Sequence, residues 1–439
     1  MLSALLVTYV WPPTGGVGVQ RVLKLAKYLP EHGVTPAVLT VKNPSVPLVD
    51  TSLLRDVSPE LEVIRARTFE PGYAAKQAAW KDAREVAPSA GLGARAKRGV
   101  MNLARQALIP DPQILWQPDA QRVLAQRLVS RRDDVVLITA PPFSMFLSAP
   151  LIRALRGTAV VLDYRDEWLT LRTQYEMLSR WGAVVGGAME HAVLRCAHAV
   201  TVATDAFRDN LLERFRFLDP GRVRTIPNGY DPDDFALPPG DKPAPPADRF
   251  VLTYAGTVFK QNSPRGLLGA LRILREKEPE LSRLLAVRFI GRVVDTELDA
   301  FEGSEALGVE RVGFLDKEKV TPALLASHMT LCLLDIMPGA ERIYPAKIFE
   351  LMVTGRPCLT LAPEGALTAL ARTHALGPVL PPRDEPAIAA ELARLLRAWK
   401  TGRFSIEQKT VGVERYHRRV IAGEFAEVFE DAARSARGR

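Results

Sequence analysis

The chain has 439 residues, of which 47% are hydrophobic and 25% charged, with a formal net charge of +8. That length exceeds one ordinary hydrophobic core and predicts two domains, while the composition excludes a largely disordered or collagenous protein. The three cysteines, Cys196, Cys332 and Cys358, stand far apart in mostly apolar runs, which excludes a disulfide scaffold or a cysteine zinc site and suits a reducing cytosol.

No charged residue occurs in the first twenty positions. No basic segment precedes that run, however, and Trp11-Pro12-Pro13 interrupts it, so it is not read as a secretion signal. Residues 5–10 predict a first parallel strand, PPTGGVG at 12–18 a glycine loop, 19–31 a helix closed by Gly33, and 35–40 a second strand. Strand, loop, helix and strand in this order make a Rossmann-type unit. Gly15, Gly16 and Gly18 would let backbone N–H groups approach an anion, and a plain tight turn explains them equally.

Residues 73–132 hold eleven basic side chains against four acidic ones, an excess of seven that is nearly the whole net charge. Tyr73, Trp80 and Trp116 lie among them, the composition of a basic amphipathic segment that docks on an anionic membrane surface. A solvated helical insert is the alternative. Nucleic acid is not expected, because no recognition module accompanies the charge.

The uncharged run 135–152 contains Pro141, Pro142 and Pro150, so it reads as a strand (134–139), a turn and a helix to 155, not as a membrane span. A strand at 158–162 then ends in Asp163-Tyr164-Arg165-Asp166-Glu167-Trp168. Charges just past the carboxyl end of a parallel strand face the ligand crevice of such sheets. Arg165 and Asp166 are therefore catalytic candidates, with a structural Asp–Arg pair as the alternative. His191 and His198 lack further ligands at close spacing, so a surface or capping role is expected and no metal site is.

A helix (185–197), a strand (199–203), another helix and a strand (224–226) lead to Asn228-Gly229, a pair that favours a turn through positive φ. Residues 237–248, LPPGDKPAPPAD, read as a linker between domains 1–236 and 249–412. The second series has strands at 250–254, 287–290 and 309–314, each followed by a loop carrying Gly256-Thr257, Gly291-Arg292 or Gly313-Phe314. A helix at 264–277 follows the first loop. A buried strand (331–335), a helix of about three turns opening at Pro345, and a strand (357–361) follow. On that helix Lys347 and Glu350 share a face at a spacing of three. A lysine at a helix N-terminus suits phosphate and a carboxylate suits a ribose diol. An ordinary wet helix face has the same spacing. Helices at 385–400 and 413–434 complete the chain.

The stretch Pro345-x-Lys347-x-x-Glu350-x-x-x-x-Gly355-x-Pro357 resembles the donor-site helix of glycosyltransferase family 4. PPTGGVGVQR, Asp163-x-Arg165-Asp166-x-Trp168, IPNGYDPDDF and Tyr254-x-Gly256-Thr257-x-Phe259 resemble further family motifs, in order, from residue 5 to about 396. The resemblance implies an α/β protein of the GT-B fold, with two Rossmann-like domains whose parallel sheets face a central cleft and a last helix (413–439) crossing back onto the N-terminal domain. It also implies transfer of a sugar from a nucleotide-diphospho-sugar to an acceptor hydroxyl with retention of configuration, in cell-surface polysaccharide or glycolipid synthesis.

Carried over residue by residue, Glu350 would bind the ribose, and Lys347 and Lys260 the diphosphate. Gly15, Gly16, Asn228, Gly256, Thr257 and Phe314 would line the donor site. Asp166 would orient acceptor or sugar, beside Arg165. Thr257 stands where the usual pattern has an arginine, and Arg265 and Arg292 are the other cations that could replace it. Arg342 stands where a second glutamate touches the donor sugar.

No cofactor and no metal is expected. The expected partners are the nucleotide sugar, an acceptor glycan that includes lipid-linked ones, and an anionic membrane surface, with the protein cytoplasmic or peripheral on the inner face. Alternatives are a natural-product or small-metabolite glycosyltransferase, an epimerase of the same fold, and a non-catalytic membrane-binding protein.

Overall fold

The computed structural model describes residues 1–46, 48–73, 108–155, 157–169, 180–236 and 243–438. The chain divides into two compact units, one of residues 1–226 with 419–439 and one of 227–418. The division falls ten residues before the expected end of the first domain, and the chain rejoins the first unit at 419, not 413. Part of the expected linker, 237–242, lies outside the described residues, as do 74–107 of the basic segment.

Unit 1 contains β1 (Leu2–Val7), α1 (Val17–Tyr28), β2 (Val34–Val41), β3 (Glu62–Ala66), α2 (Gln117–Ser130), β4 (Val135–Ala140), α3 (Ala149–Ala154), β5 (Ala159–Tyr164), α4 (Arg180–Cys196), β6 (Ala199–Val202), α5 (Asp205–Arg214) and β7 (Val223–Thr225). Its seven strands run parallel in the order β3-β2-β1-β4-β5-β6-β7. Side chains alternate between the sheet's two faces, so Leu5 and Val7 join one buried cluster and Ala4 and Leu6 the other. Both faces are covered, which is why these strands read as unbroken apolar runs.

Unit 2 contains β8 (Phe250–Ala255), α6 (Arg265–Lys277), β9 (Leu285–Ile290), β10 (Val309–Gly313), α7 (Lys317–Leu325), β11 (Met329–Leu333), α8 (Lys347–Leu351), β12 (Cys358–Leu361), α9 (Ala366–Thr373), β13 (Val379–Leu380) and α10 (Glu385–Lys400). Its strands are parallel in the order β10-β9-β8-β11-β12-β13. In each sheet the order reverses beside the unit's first strand, which places a switch point at the carboxyl ends of β1/β4 and of β8/β11, where such sheets take ligands. The last helix, α11 (Arg418–Arg437), lays Ile421, Phe425 and Phe429 into the second cluster of unit 1 beside Leu6 and Leu23.

Several elements differ from the sequence reading. β1 begins and ends three residues early, at Leu2–Val7, and beyond it Thr14 N–H turns back to the Trp11 carbonyl at 3.0 Å. β11 ends before Asp335, whose N–H goes to Gln261 O at 2.7 Å. The helix after Pro345 is five residues long, not three turns. Thr354 Oγ1 caps Leu351 O at 2.8 Å, and Gly355 takes φ 67°. Asn228 and Gly229 are not among the positive-φ residues. The chain runs extended there, and Tyr230 N–H donates to Tyr416 O at 3.0 Å.

Trp116, read as a membrane-facing edge, is fully buried with its Nε1 donating to Ala66 O at 3.1 Å. His198 is buried too, its Nδ1 accepting the Val160 N–H at 3.0 Å, a cap to the sheet and not a surface group. Among the described residues no helix is long and apolar enough to cross a membrane.

Candidate functional site

In unit 2 the residues singled out by sequence gather at the carboxyl end of the sheet. Gly256 follows β8 and Gly291 follows β9, with Gly256 N–H bonded to Ile290 O at 2.8 Å and Gly291 N–H to Gly313 O at 2.7 Å. Both have positive φ (141° and 133°). A Cβ on Gly291 would lie 2.3 Å from Gly256 O, so only glycine lets the two loops touch.

Over this backbone lies Lys347. Its Nζ sits 3.7 Å from the centroid of the Tyr254 ring, and a Cβ on Gly256 would lie 2.6 Å from it. The ammonium is out of solvent and has no hydrogen-bond partner among the described residues. Burial lowers its pKa to about 8. The cation–π contact offsets only part of that desolvation.

Among the described residues the neighbouring charge offsets only part of that burial, with Glu350 the nearby carboxylate. Burial raises the Cys332 thiol well above its ordinary value and the Cys358 thiol to about 11, so both stay neutral. Tyr254 is also kept protonated by burial and donates its hydroxyl to Thr257 O at 3.0 Å. The nearby carboxylate, Glu350, pairs with Lys317 instead. The geometry is a buried cation over an aromatic ring, with a carboxylate on the same short helix.

The remaining donor candidates differ in standing. Lys260 is exposed, Thr257 and Arg292 are half-buried beside Gly256 and Gly291, and Phe314 is 41% exposed. Arg265, one of the alternative cations, pairs at the surface with Asp299 at 2.7 Å and lies 3.6 Å from Glu297. Arg342 pairs with the adjacent Glu341. Asn228 is buried in the extended stretch before Tyr230.

In unit 1 the picture changes more. Gly15 N–H donates to Leu48 O at 3.0 Å, so it is not available to an anion as the glycine loop suggested. Gly16 has φ 100° and stands at the start of α1. Arg165 points its guanidinium at backbone carbonyls, with Nη1 on Gly18 O at 2.7 Å, Nε on Ala140 O at 3.2 Å and Nη2 on Pro141 O. It fixes the loops after β1 and β4, a positioning role instead of a free catalytic charge. Asp166 is half-buried, its carboxyl raised by burial against the pull of Arg165.

The motif's other aspartate was missed. Asp163 lies inside β5 and receives Arg21 Nη2 at 2.8 Å and Nε at 2.9 Å, Thr139 Oγ1 at 2.7 Å and Thr201 Oγ1 at 2.8 Å. Burial alone would raise this carboxyl, but Arg21 and the hydroxyls outweigh it and hold it below the usual range. Arg21 also donates to Ile226 O at 2.9 Å. A charge in the apolar run AVVLDY, opposite an arginine on the apolar face of α1, was the available signal. Lys317 was also missed, and nothing in KEKVTPALL marks it out.

Comparison with known proteins agrees with this architecture. Residues 15–229 match the glycosyl transferase 4-like domain. A D-inositol 3-phosphate glycosyltransferase of Stackebrandtia nassauensis is 28% identical over 218 residues, 47% of this chain and 48% of that protein. The match therefore spans about half the length of that curated relative. Among solved structures, Anabaena HepE in complex with UDP and glucose covers 98% of this chain and 100% of its own, with a TM-score of 0.64 at 13% identity. Sucrose-phosphate synthase from Thermosynechococcus elongatus covers 98% of each chain, with a TM-score of 0.61 at 16% identity. Residues 15–229 thus carry a glycosyl transferase 4-like domain, and the chain has the GT-B fold of these solved structures.

Proposed function

We propose that this protein transfers a sugar from a nucleoside-diphospho-sugar to an acceptor hydroxyl, with the donor diphosphate at Lys347 and the ribose at Glu350. The observation that carries the reading is the uncompensated Lys347 ammonium at the switch-point end of the second sheet. Lys260 and Arg292, at the ends of the same loops, are the further cations proposed for the diphosphate, and Gly256, Thr257 and Phe314 its backbone and base contacts. Preorganised cations of this kind stabilise a departing diphosphate without a metal ion.

In the proposed reaction the bond from the anomeric carbon to the phosphate oxygen breaks. The acceptor oxygen bonds to the same carbon on the same face, and the acceptor proton passes to the leaving phosphate. Retention, donor type and the placing of Asp166 near acceptor or sugar rest on the motif resemblance. UDP in the Anabaena neighbour supports a uridine donor, and the name of the Stackebrandtia relative supports a phosphorylated polyol as acceptor. A cell-surface glycan or glycolipid acceptor belongs to the same proposal, as does contact of the basic residues of 73–132 with an anionic membrane, with Trp116 removed from that contact.

The test is thermal stabilisation by UDP, GDP, ADP and TDP, beside Glu350→Ala. A ligand at a hundred times its Kd adds about 2.7 kcal/mol. One diphosphate should shift the melting point in the native chain and less in the variant. No shift with any of them at millimolar concentration contradicts the donor site. Release of that diphosphate only when an acceptor is added separates transfer from epimerisation.

A further inference from the structure

Glu350 is held by a residue outside the family-like motif. Lys317, the first residue of α7, reaches across unit 2 to Glu350 Oε1, and its Nζ also lies 3.9 Å from Asp234 Oδ2. The side chains of Lys317 and Asp234 are 12% and 6% exposed, and that of Glu350 is 26% exposed. The base of the lysine is fixed in turn. Arg356 Nη2 binds Leu325 O at the other end of α7 at 2.7 Å, and Thr321 Oγ1 binds Asp234 O at 3.1 Å. An ammonium buried between two carboxylates, on a helix tied at its middle and at its carboxyl end, sets the direction of both heads.

We propose that Lys317 is a positioning residue for nucleotide recognition: by holding one oxygen of Glu350 it aims the other at the ribose hydroxyls. This rests on the donor-site reading above. A carboxylate offers about four lone-pair directions over its two oxygens, so the Lys317 bond leaves Oε2 open to a diol while removing the side chain's rotamer freedom. The same bond keeps Glu350 from turning to Lys347, which leaves the Lys347 ammonium for the diphosphate. One lysine thereby keeps the two halves of the proposed site from neutralising each other. Asp234 is the second anchor of that lysine and touches no ligand.

The test compares Kd for UDP, ADP and GDP with Kd for their 2′,3′-dideoxy forms, in the native chain, Lys317→Met, Lys317→Arg, Asp234→Asn and Glu350→Gln. The native chain should prefer one ribonucleotide over its dideoxy form by about tenfold or more, the scale of a hydrogen bond to a charged group. Glu350→Gln should erase that preference while leaving the dideoxy affinity near the native value, and Lys317→Met should erase it too while also weakening the dideoxy form, because the released Glu350 can turn to Lys347. Lys317→Arg should restore most of it, and Asp234→Asn should keep it. A general destabilisation would instead weaken ribo and dideoxy forms alike. If Lys317→Met retains the preference, or lowers both affinities equally, the positioning role is overturned while the donor site stands. Binding of none of the diphosphates by the native chain overturns both.

Discussion

Lys347 has its ammonium out of water, above an aromatic face and beside two neutral thiols. Its folded pKa of about 8 lies below the ordinary 10.5, so between those values the unfolded chain binds a proton that the folded chain has released. Stability should therefore rise as pH goes from 8 to 10.5, and Lys347→Met should abolish that rise. At pH 7 the same variant should be more stable, by on the order of 1–3 kcal/mol, because it removes a buried charge without a partner. Urea titrations at pH 7 and 10 measure both. Diphosphate affinity should fall in parallel, a gain of stability at the expense of binding. Gly256→Ala should also weaken the diphosphate, since its Cβ would lie 2.6 Å from Lys347 Nζ, and a melting shift with ligand reads this directly. Lys347 and Glu350 were picked out in the sequence by the motif that runs from Pro345 to Pro357, since their spacing of three is shared by any wet helix face. For Gly15 and Arg165 the sequence left two readings open, because their partners are distant, the carbonyl of Leu48 for one and those of Gly18 and Ala140 for the other.

At the level of elements, unit 1 is joined through one buried charge. Asp163 of β5 collects hydrogen bonds from α1, β4 and β6, and Arg21 extends them to Ile226 just beyond β7. Asp163→Ala should cost about 3–5 kcal/mol by leaving Arg21 buried without its counter-charge. Loss of urea stability in the unit 1 transition is the readout. A cost below about 1 kcal/mol would mean that the carboxylate is not a structural joint. The strands were legible where both faces are buried. β3 was not, because EVIRA is a part-exposed edge strand with charges at both of its exposed positions. α7 was hidden by its own composition, three charges in its first three residues and Pro322 inside it. α8 read as longer than it is, because the apolar pattern continues past Leu351 while Thr354 and Gly355 end the helix.

Taken whole, the chain repeats one topology twice, and the repeat was readable because the central strands and the loops after them have local signals. The place where the chain leaves one unit for the other was less so, since Pro227-Asn228-Gly229 looks like a turn and runs extended. The return of α11 was implied only by resemblance. Phe425, buried in unit 1 with Arg21 5.0 Å over its ring, makes that return testable. Phe425→Ala should lower unit 1 stability by about 3–5 kcal/mol, with the diphosphate-induced stabilisation of unit 2 retained. The central claim, that Lys347 is the missing half of an ion pair completed by a nucleoside diphosphate, is tested most directly by calorimetric titration at pH 8.5 in two buffers of different ionisation enthalpy. Binding should take up about 0.7 proton per diphosphate, as the Lys347 pKa climbs back from about 8, and Lys347→Met should show none. Tight binding with no proton uptake in the native chain would contradict the account.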